Sequence, residues 1–383
     1  MAEVYDCILV GDGVAANAVK LELAIRAPEL RVLQIAGARN PIRYKVGEHL
    51  SAAANIQLKH FGLWDDFLSA GFLEVRSSYS SWGSPLLEER NTWGDSRGSG
   101  WSLDRVAFEH WFSQCAKDRS RCSHLSGNVI GVDFSDHAQV SIALAGGDVA
   151  QARFVIDASG RASVVARTQT VRRRLDRLTA TYNYLEQVDT GIEATAGPMV
   201  EACPGGWFYS ALLPQRKLIV AWFTDSDLVE KGKGNLSGGQ ARSAMLKARI
   251  EKSDYTLRRI ESAGFSLGRF CFEEAITADA STRVNDSAVG EHWAAVGDAS
   301  AAFDPLASHG LTTALWSGRQ VAEAMTGALQ GHKDGLREYN TSFLAGVTKL
   351  RREFRQHYRA EQRFTDTFWI RRQAESLVAP ETV

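Results

Sequence analysis

A short apolar stretch, Cys7-Ile8-Leu9-Val10, runs directly into Gly11-Asp12-Gly13-Val14-Ala15-Ala16, and an Ala- and Leu-rich segment then continues to about Ile25. A second apolar run, Val32-Leu33-Gln34-Ile35, follows. The order predicts strand, helix and parallel strand, with G-x-G-x-x-A at the first junction. Gly11 permits the tight turn, Gly13 lets a pyrophosphate approach the backbone, and Ala16 lets the helix pack closely on the strand, with phosphate at the helix N-terminus. Such a glycine pattern is weak evidence alone and stronger between a strand and a helix. One part of the fingerprint is missing: where an acid should bind the ribose, the chain has Ala36. Arg39 or a neighbouring backbone group is the candidate replacement.

The chain has 383 residues, enough for two or three domains or one large fold with an insert. With 44 Lys+Arg against 45 Asp+Glu, it lacks the basic excess of a dedicated nucleic-acid binder. Cys7, Cys115, Cys122, Cys203 and Cys271 include no Cys-x-x-Cys pair, so reduced thiols and a cytoplasmic setting are expected rather than a disulfide framework. No basic n-region precedes an apolar core, and no apolar run approaches the ~20 residues of a membrane span. The nine histidines show no H-x-x-x-H or H-E-x-x-H spacing, so no metal site is indicated.

Two distant segments narrow the nucleotide. Arg153 to Ser163, RFVIDASGRAS, reads as a strand ending in Asp157 with a turn around Gly160. Trp293 to Gly310, WAAVGDASAAFDPLASHG, reads as a strand ending in Gly297-Asp298, then a loop and a helix from about Leu311. With these motifs at its start, middle and far end, the chain resembles the flavin-dependent monooxygenases and halogenases of the p-hydroxybenzoate hydroxylase type of fold. The resemblance implies an α/β protein, with a Rossmann-like FAD-binding domain, an inserted β-sheet substrate domain and a helical C-terminus. The expected FAD domain is discontinuous, over 1–75, 100–170 and 285–335; the substrate domain takes 76–99 and 171–284, and the helical region 336–383.

The same resemblance implies roles that suit each residue's chemistry. Asp298 is a charged acceptor for ribityl hydroxyls. Backbone N–H groups at Gly310 and Leu311 would stabilise negative charge on the reduced flavin. Pro305 offers a rigid apolar contact, and Arg105, in LDRVAFEHWF, reaches the cofactor. Lys45, Gly47, Asp157, Gly160 and Gly297 complete the expected cofactor-binding set with Gly11, Gly13 and Ala16.

Lys45-Val46-Gly47-Glu48-His49-Leu50 resembles the V-G-E segment of the halogenases. In those enzymes a lysine further on handles hypohalous acid, but here the stretch Gly71 to Arg76, leading to Trp82, contains none. A glutamate that follows Pro-Leu in the tryptophan halogenases is replaced by Ala307. Neither Glu74 nor Ala307 supplies the ammonium. A flavin hydroperoxide oxygenates an adjacent electron-rich ring without such a relay, so hydroxylation is the simpler outcome.

GGWFYSALLP, KLIVAWFTDSDL, DPLASHG and the C-terminal YRAEQRFTDTFWIRR are similar to a narrower group: the LodB-type and QhpG-type flavoproteins that mature quinone-cofactor amine oxidases and dehydrogenases. That likeness implies hydroxylation of a tryptophan in a partner polypeptide on the way to cysteine tryptophylquinone. The alternatives are a hydroxylase or halogenase of a free or carrier-tethered aromatic metabolite, and a non-catalytic flavoprotein assembly factor. No second glycine fingerprint follows a strand, so the electrons for O2 come from transiently bound NAD(P)H or an external flavin reductase. A monomer or weak dimer is expected.

His309 and His49 are the candidate catalytic residues, since histidine titrates in the working range. Thr179 to Tyr184, Gly206 to Leu213 and Lys217 to Thr224 read as strands, and the family resemblance implies that their sheet roofs the substrate cavity. Tyr182, Trp207, Tyr209 and Trp222 are the candidates for its aromatic lining. Near the C-terminus Lys349, Arg351, Arg352, Arg355, Arg359, Arg363, Arg371 and Arg372 outnumber Glu353, Glu361 and Asp366. Leu350, Phe354 and Tyr358 fall at i, i+4 and i+8, one buried stripe of a helix. The basic face reads as solvated surface or as a dock for an acidic protein substrate.

Overall fold

The computed structural model describes residues 4–37, 46–229 and 238–374. Lys45 and Arg39 lie outside them.

The opening motif folds as strand Val4–Val10, helix Val14–Arg26 and strand Val32–Ala36, the strands pairing in parallel from Cys7↔Val32 to Val10↔Ile35. They lie at the centre of a seven-stranded sheet. Strand Val149–Asp157 pairs with Val4–Val10 along its length; on its other side it meets Val140–Leu144 first and Trp293–Ala295 last. The strand ends of Val10, Asp157 and Ala295 thereby come together from three distant parts of the chain. Helix Gly310–Leu329 crosses helix Val14–Arg26 with almost no space between them: a Cβ on Gly318 would sit 2.6 Å from the Ala15 carbonyl oxygen.

A second seven-stranded sheet comprises, in spatial order, Ile276–Asp279, Leu178–Glu186, Lys217–Asp225, Gly206–Leu213, Met199–Cys203, Ser77–Ser81 and Glu88–Asn91. Its middle strands Gly206–Leu213 and Lys217–Asp225 are buried on both faces and apolar almost throughout, whereas Glu88–Asn91 at one edge is exposed. Along Lys217–Asp225, residues 219, 221 and 223 face one core, whereas 218, 220 and 222 pack beneath helices Gly238–Ile250 and Tyr255–Ser262. This parity decides which residues meet the cavity.

The last described elements are helix Asp334–Ala360 and helix Thr367–Ala374. The expected stripe is only partly buried: Tyr358 is enclosed, Leu350 and Phe354 are half-buried, and Phe354 lines a groove. Leu336, Tyr339, Phe343 and Val347 form the buried face. The expected basic surface is also reduced. Arg372 is buried against Asp225 at 2.7 Å, Arg371 pairs with Asp225 and Asp227 at 3.1 and 2.9 Å, and Arg363 is held by Glu361. These three guanidiniums fasten the C-terminal segment to the protein and offer no free basic patch. No described helix is long and apolar enough to cross a membrane.

Candidate active site

The nucleotide turn is set by sterics. Gly11 has φ +117°, and a Cβ there would lie 2.3 Å from the Ala158 carbonyl oxygen, so only glycine fits. Gln34 donates to the Gly11 carbonyl at 2.7 Å and accepts from buried Lys20 at 3.1 Å, bracing the turn from below. Helix Val14–Arg26 begins at Gly13 with no side-chain cap and no acid in its first turn, while Ala16 is buried against the sheet. Its first N–H groups therefore suit an anion. Ala36 ends the second strand, with no acid in the ribose position.

Asp298 borders an inner cavity of about 450 Å3, and its carboxylate accepts no hydrogen bond from a described residue. Gly47, Arg105, Pro305, Gly310 and Leu311 line the same cavity. Helix Gly310–Leu329 starts there without a side-chain cap, and a Cβ on Gly310 would meet open space. An uncapped helix end at the turn, a free carboxylate and a second uncapped helix end fit the pyrophosphate, ribityl chain and ring of FAD. Arg105 extends from a helix start capped by Asp104 and donates to the Gly47 carbonyl at 3.1 Å and to Glu109 at 2.8 Å.

Three other expected cofactor contacts have different placements. Asp157 is fully buried, and its oxygens accept from the N–H groups of Ser159, Val165 and Ala166 and from the Ser159 hydroxyl at 2.5–3.0 Å. Its carboxylate is consumed in shaping the turn, so the expected ligand contact is corrected. Gly160, at φ +65°, belongs to that turn and does not line the inner cavity. Gly297, at φ +56°, packs toward Ala15, and its N–H donates to the Ser317 hydroxyl at 2.8 Å. Arg172, which sequence reasoning missed, donates to the carbonyls of Asp298 and Ala299 at 2.8 and 2.9 Å and holds the acid's loop.

The far wall of the cavity is the second sheet: Tyr182, Trp207 and Tyr209, with Ile219, Ala221 and Phe223. Trp207 stacks on Phe223 with centroids 4.0 Å apart. Trp222 is a correction. It points to the opposite face, against Phe208 and under the Arg249 guanidinium, and lines neither cavity. A one-residue change of parity separates it from Phe223.

His49 is placed by pairing of His49–Leu50 with Gly100–Ser102, and its Nδ1 is shielded without a partner. Burial first, and then His309, pushes its pKa down to about 4, so the imidazole is neutral and a weak base. Burial also lowers His309, which stands at the N-terminus of Gly310–Leu329. Beside them, Glu48 is the group that the sequence did not single out. Burial pushes its carboxyl up to about 7, although the Gly47 N–H at 2.9 Å, the Tyr184 hydroxyl at 3.1 Å and Arg105 favour the charged form. Its only sequence signal was its place in V-G-E.

A second, larger groove of about 670 Å3 adjoins the cavity and shares His49, Trp207, Tyr209, Pro305 and Ser308 with it. The groove runs between the Ser77–Asn91 hairpin and helix Asp334–Ala360, and exposed Glu88, Glu89 and Arg90 stand on its wall. His309 lines this groove. No lysine is among the described residues lining either space, and exposed Glu74 pairs with Arg76 and Ser99 away from both.

The fold is that of an FAD-dependent oxidoreductase of the halogenase and monooxygenase superfamily. The tryptophan halogenase family model matches residues 65–382, and the chain belongs to that family. It is 25% identical to the putative FAD-dependent oxidoreductase LodB of Marinomonas mediterranea, over 98% of this chain and 99% of that protein. Among solved structures, the myxobacterial chondrochloren halogenase CndH superposes with TM-score 0.83 at 22% identity, covering 98% of this chain and 87% of that one. The peptidyl tryptophan dihydroxylase QhpG, essential for tryptophylquinone cofactor biogenesis, superposes with TM-score 0.69 at 22% identity, covering 98% and 81%.

Proposed function

We propose that this protein hydroxylates an aromatic ring, and that its substrate is a tryptophan side chain of a partner polypeptide in quinone-cofactor biogenesis. The observation that supports the polypeptide reading is the groove of about 670 Å3 that adjoins the inner cavity. With the flavin ring in the inner cavity, the groove is the space left to the substrate, and its volume has room for a side chain together with its backbone. The likeness to LodB and QhpG supports the same reading.

Bound FAD, reduced by NAD(P)H or an external flavin reductase, would supply two electrons to O2 and transfer one oxygen atom; the other leaves as water. Asp298, Gly11, Gly13 and the N-terminus of helix Gly310–Leu329 would hold it. Trp207 and Tyr209 orient the ring across the cavity, and Pro305 limits its approach on the loop side. Glu48 takes up the ring proton after oxygen attack, because its carboxyl borders the cavity and titrates near neutrality, whereas His49 is too weak a base. The lack of a lining lysine among the described residues disfavours a halogenating relay.

Glu48→Gln should retain FAD and lower kcat roughly 100-fold, the scale of one general acid–base group; unchanged turnover would remove Glu48 from the mechanism. His309→Ala with FAD retained and turnover unchanged would assign His309 to the groove wall alone.

A further inference from the structure

Three buried side chains from separate parts of the chain form a hydrogen-bonded line. The Trp207 indole N–H donates to the Tyr358 hydroxyl at 3.2 Å, and that hydroxyl donates to Asp304 Oδ2 at 2.6 Å. The other Asp304 oxygen accepts from the Leu306 N–H at 3.0 Å, fixing the turn that contains Pro305. The hydroxyl has one proton, so accepting from Trp207 commits that proton to Asp304. Phenylalanine at 358 would leave a buried N–H and a buried carboxylate oxygen unpaired. Arg372, tied to Asp225, lies over the Tyr358 ring at 5.5 Å and holds it in place.

The placement of Tyr358 gives this line a role. On the same helix, Glu353 and Phe354 about one turn earlier and the adjacent His357 line the groove. Trp207 belongs to both cavities, and Asp304 to the inner one. Tyr358 is therefore where the groove helix, the ring-stacking wall and the flavin-side loop meet.

We infer that Tyr358 is a positioning residue: its hydroxyl holds the Trp207 indole and the Asp304–Pro305 turn in one register, so that a ring entering from the groove is fixed between them. The inference rests on the hydroxylase reading above. Asp304 is faced by Tyr358, by Arg372 from the last helix and by Asp176 from the loop before the second sheet, and burial pushes its carboxyl up to about 6.

The test is Tyr358→Phe in full-length, FAD-loaded protein with a tryptophan-containing peptide. FAD content should be unchanged, while oxygenated product per reductant oxidised falls about tenfold, the cost of losing a hydrogen bond to a charged group. The missing electrons should appear as hydrogen peroxide, O2 taking up two electrons and two protons without transferring oxygen. A second readout needs no turnover. The emission difference between wild type and Trp207→Phe should titrate with a midpoint near that of Asp304, about 6, and that titration should be absent in the Tyr358→Phe background. If Tyr358→Phe fails to fold, Asp304→Asn, which keeps the side chain's shape and removes its charge and its titration, should show the same loss of coupling with FAD retained. Unchanged coupling together with a titration that survives the loss of the hydroxyl overturns the inference. If the wild type forms no oxygenated product but the titration behaves as stated, the positioning role stands and the hydroxylase reading fails.

Discussion

The two seven-stranded sheets prepare their sites by different means. The first, with a parallel centre, presents backbone: Gly11, the uncapped helix start after Gly13 and the one at Gly310 offer N–H groups, with the Asp298 carboxylate bordering the same cavity as Gly310. The second, largely antiparallel, uses side-chain parity, so that Trp207 and Phe223 form the cavity wall while their neighbours Phe208 and Trp222 support it from behind. A backbone site tolerates changes except where a Cβ intrudes; a parity site depends on which face each residue takes.

Substitution at each sheet should separate these modes. Gly11→Val places atoms on the Ala158 carbonyl and forces a disfavoured φ, so purified protein should carry no FAD by absorbance. Trp222→Ala should cost about 3–5 kcal/mol by denaturant unfolding and leave KM for a peptide unchanged, because Trp222 supports the sheet from outside the cavity. A changed KM at near-normal stability would contradict the assigned parity.

A third effect is pH-dependent. The Glu48 carboxyl is raised from its ordinary 4.5 to about 7, so between those values the folded protein holds a proton that the unfolded chain has released. Stability should therefore fall as pH rises through that window, by on the order of 3 kcal/mol in all. Asp304 acts in the same direction between 3.8 and about 6. Glu48→Gln should flatten the upper part of the curve in unfolding titrations, and an unchanged slope between pH 6 and 7 would refute the assignment. The smallest effect concerns the C-terminal charges. Reversing exposed Arg352 and Arg359 to Glu should change peptide affinity by less than about twofold, because the groove wall carries Glu88, Glu89 and Glu353 against Arg90. A large loss in a binding isotherm would restore the basic docking face.

The sequence made the strand, glycine turn and helix of the opening unit readable because their signals are local. Asp157 misled because an acid at a strand end reads the same whether it faces a ligand or its own turn. Trp222 misled for a related reason: KLIVAWFTD is apolar on both faces, so alternation was invisible. The line from Trp207 through Tyr358 to Asp304 joins residues 151 and 54 positions apart, beyond the reach of any local pattern. Arg363, Arg371 and Arg372 looked like free charge until folding brought Asp225 and Asp227 beside the latter two and turned Glu361 onto the first.

The most direct test of the central claim is mass spectrometry of a tryptophan-containing partner polypeptide after incubation with the FAD-loaded protein, a reductant, chloride and 18O2. On the proposed function, one or two labelled oxygen atoms appear on a tryptophan ring and no chlorine. Chlorine incorporation, or labelled oxygen appearing only in a free indole or phenol supplied alongside, would contradict it.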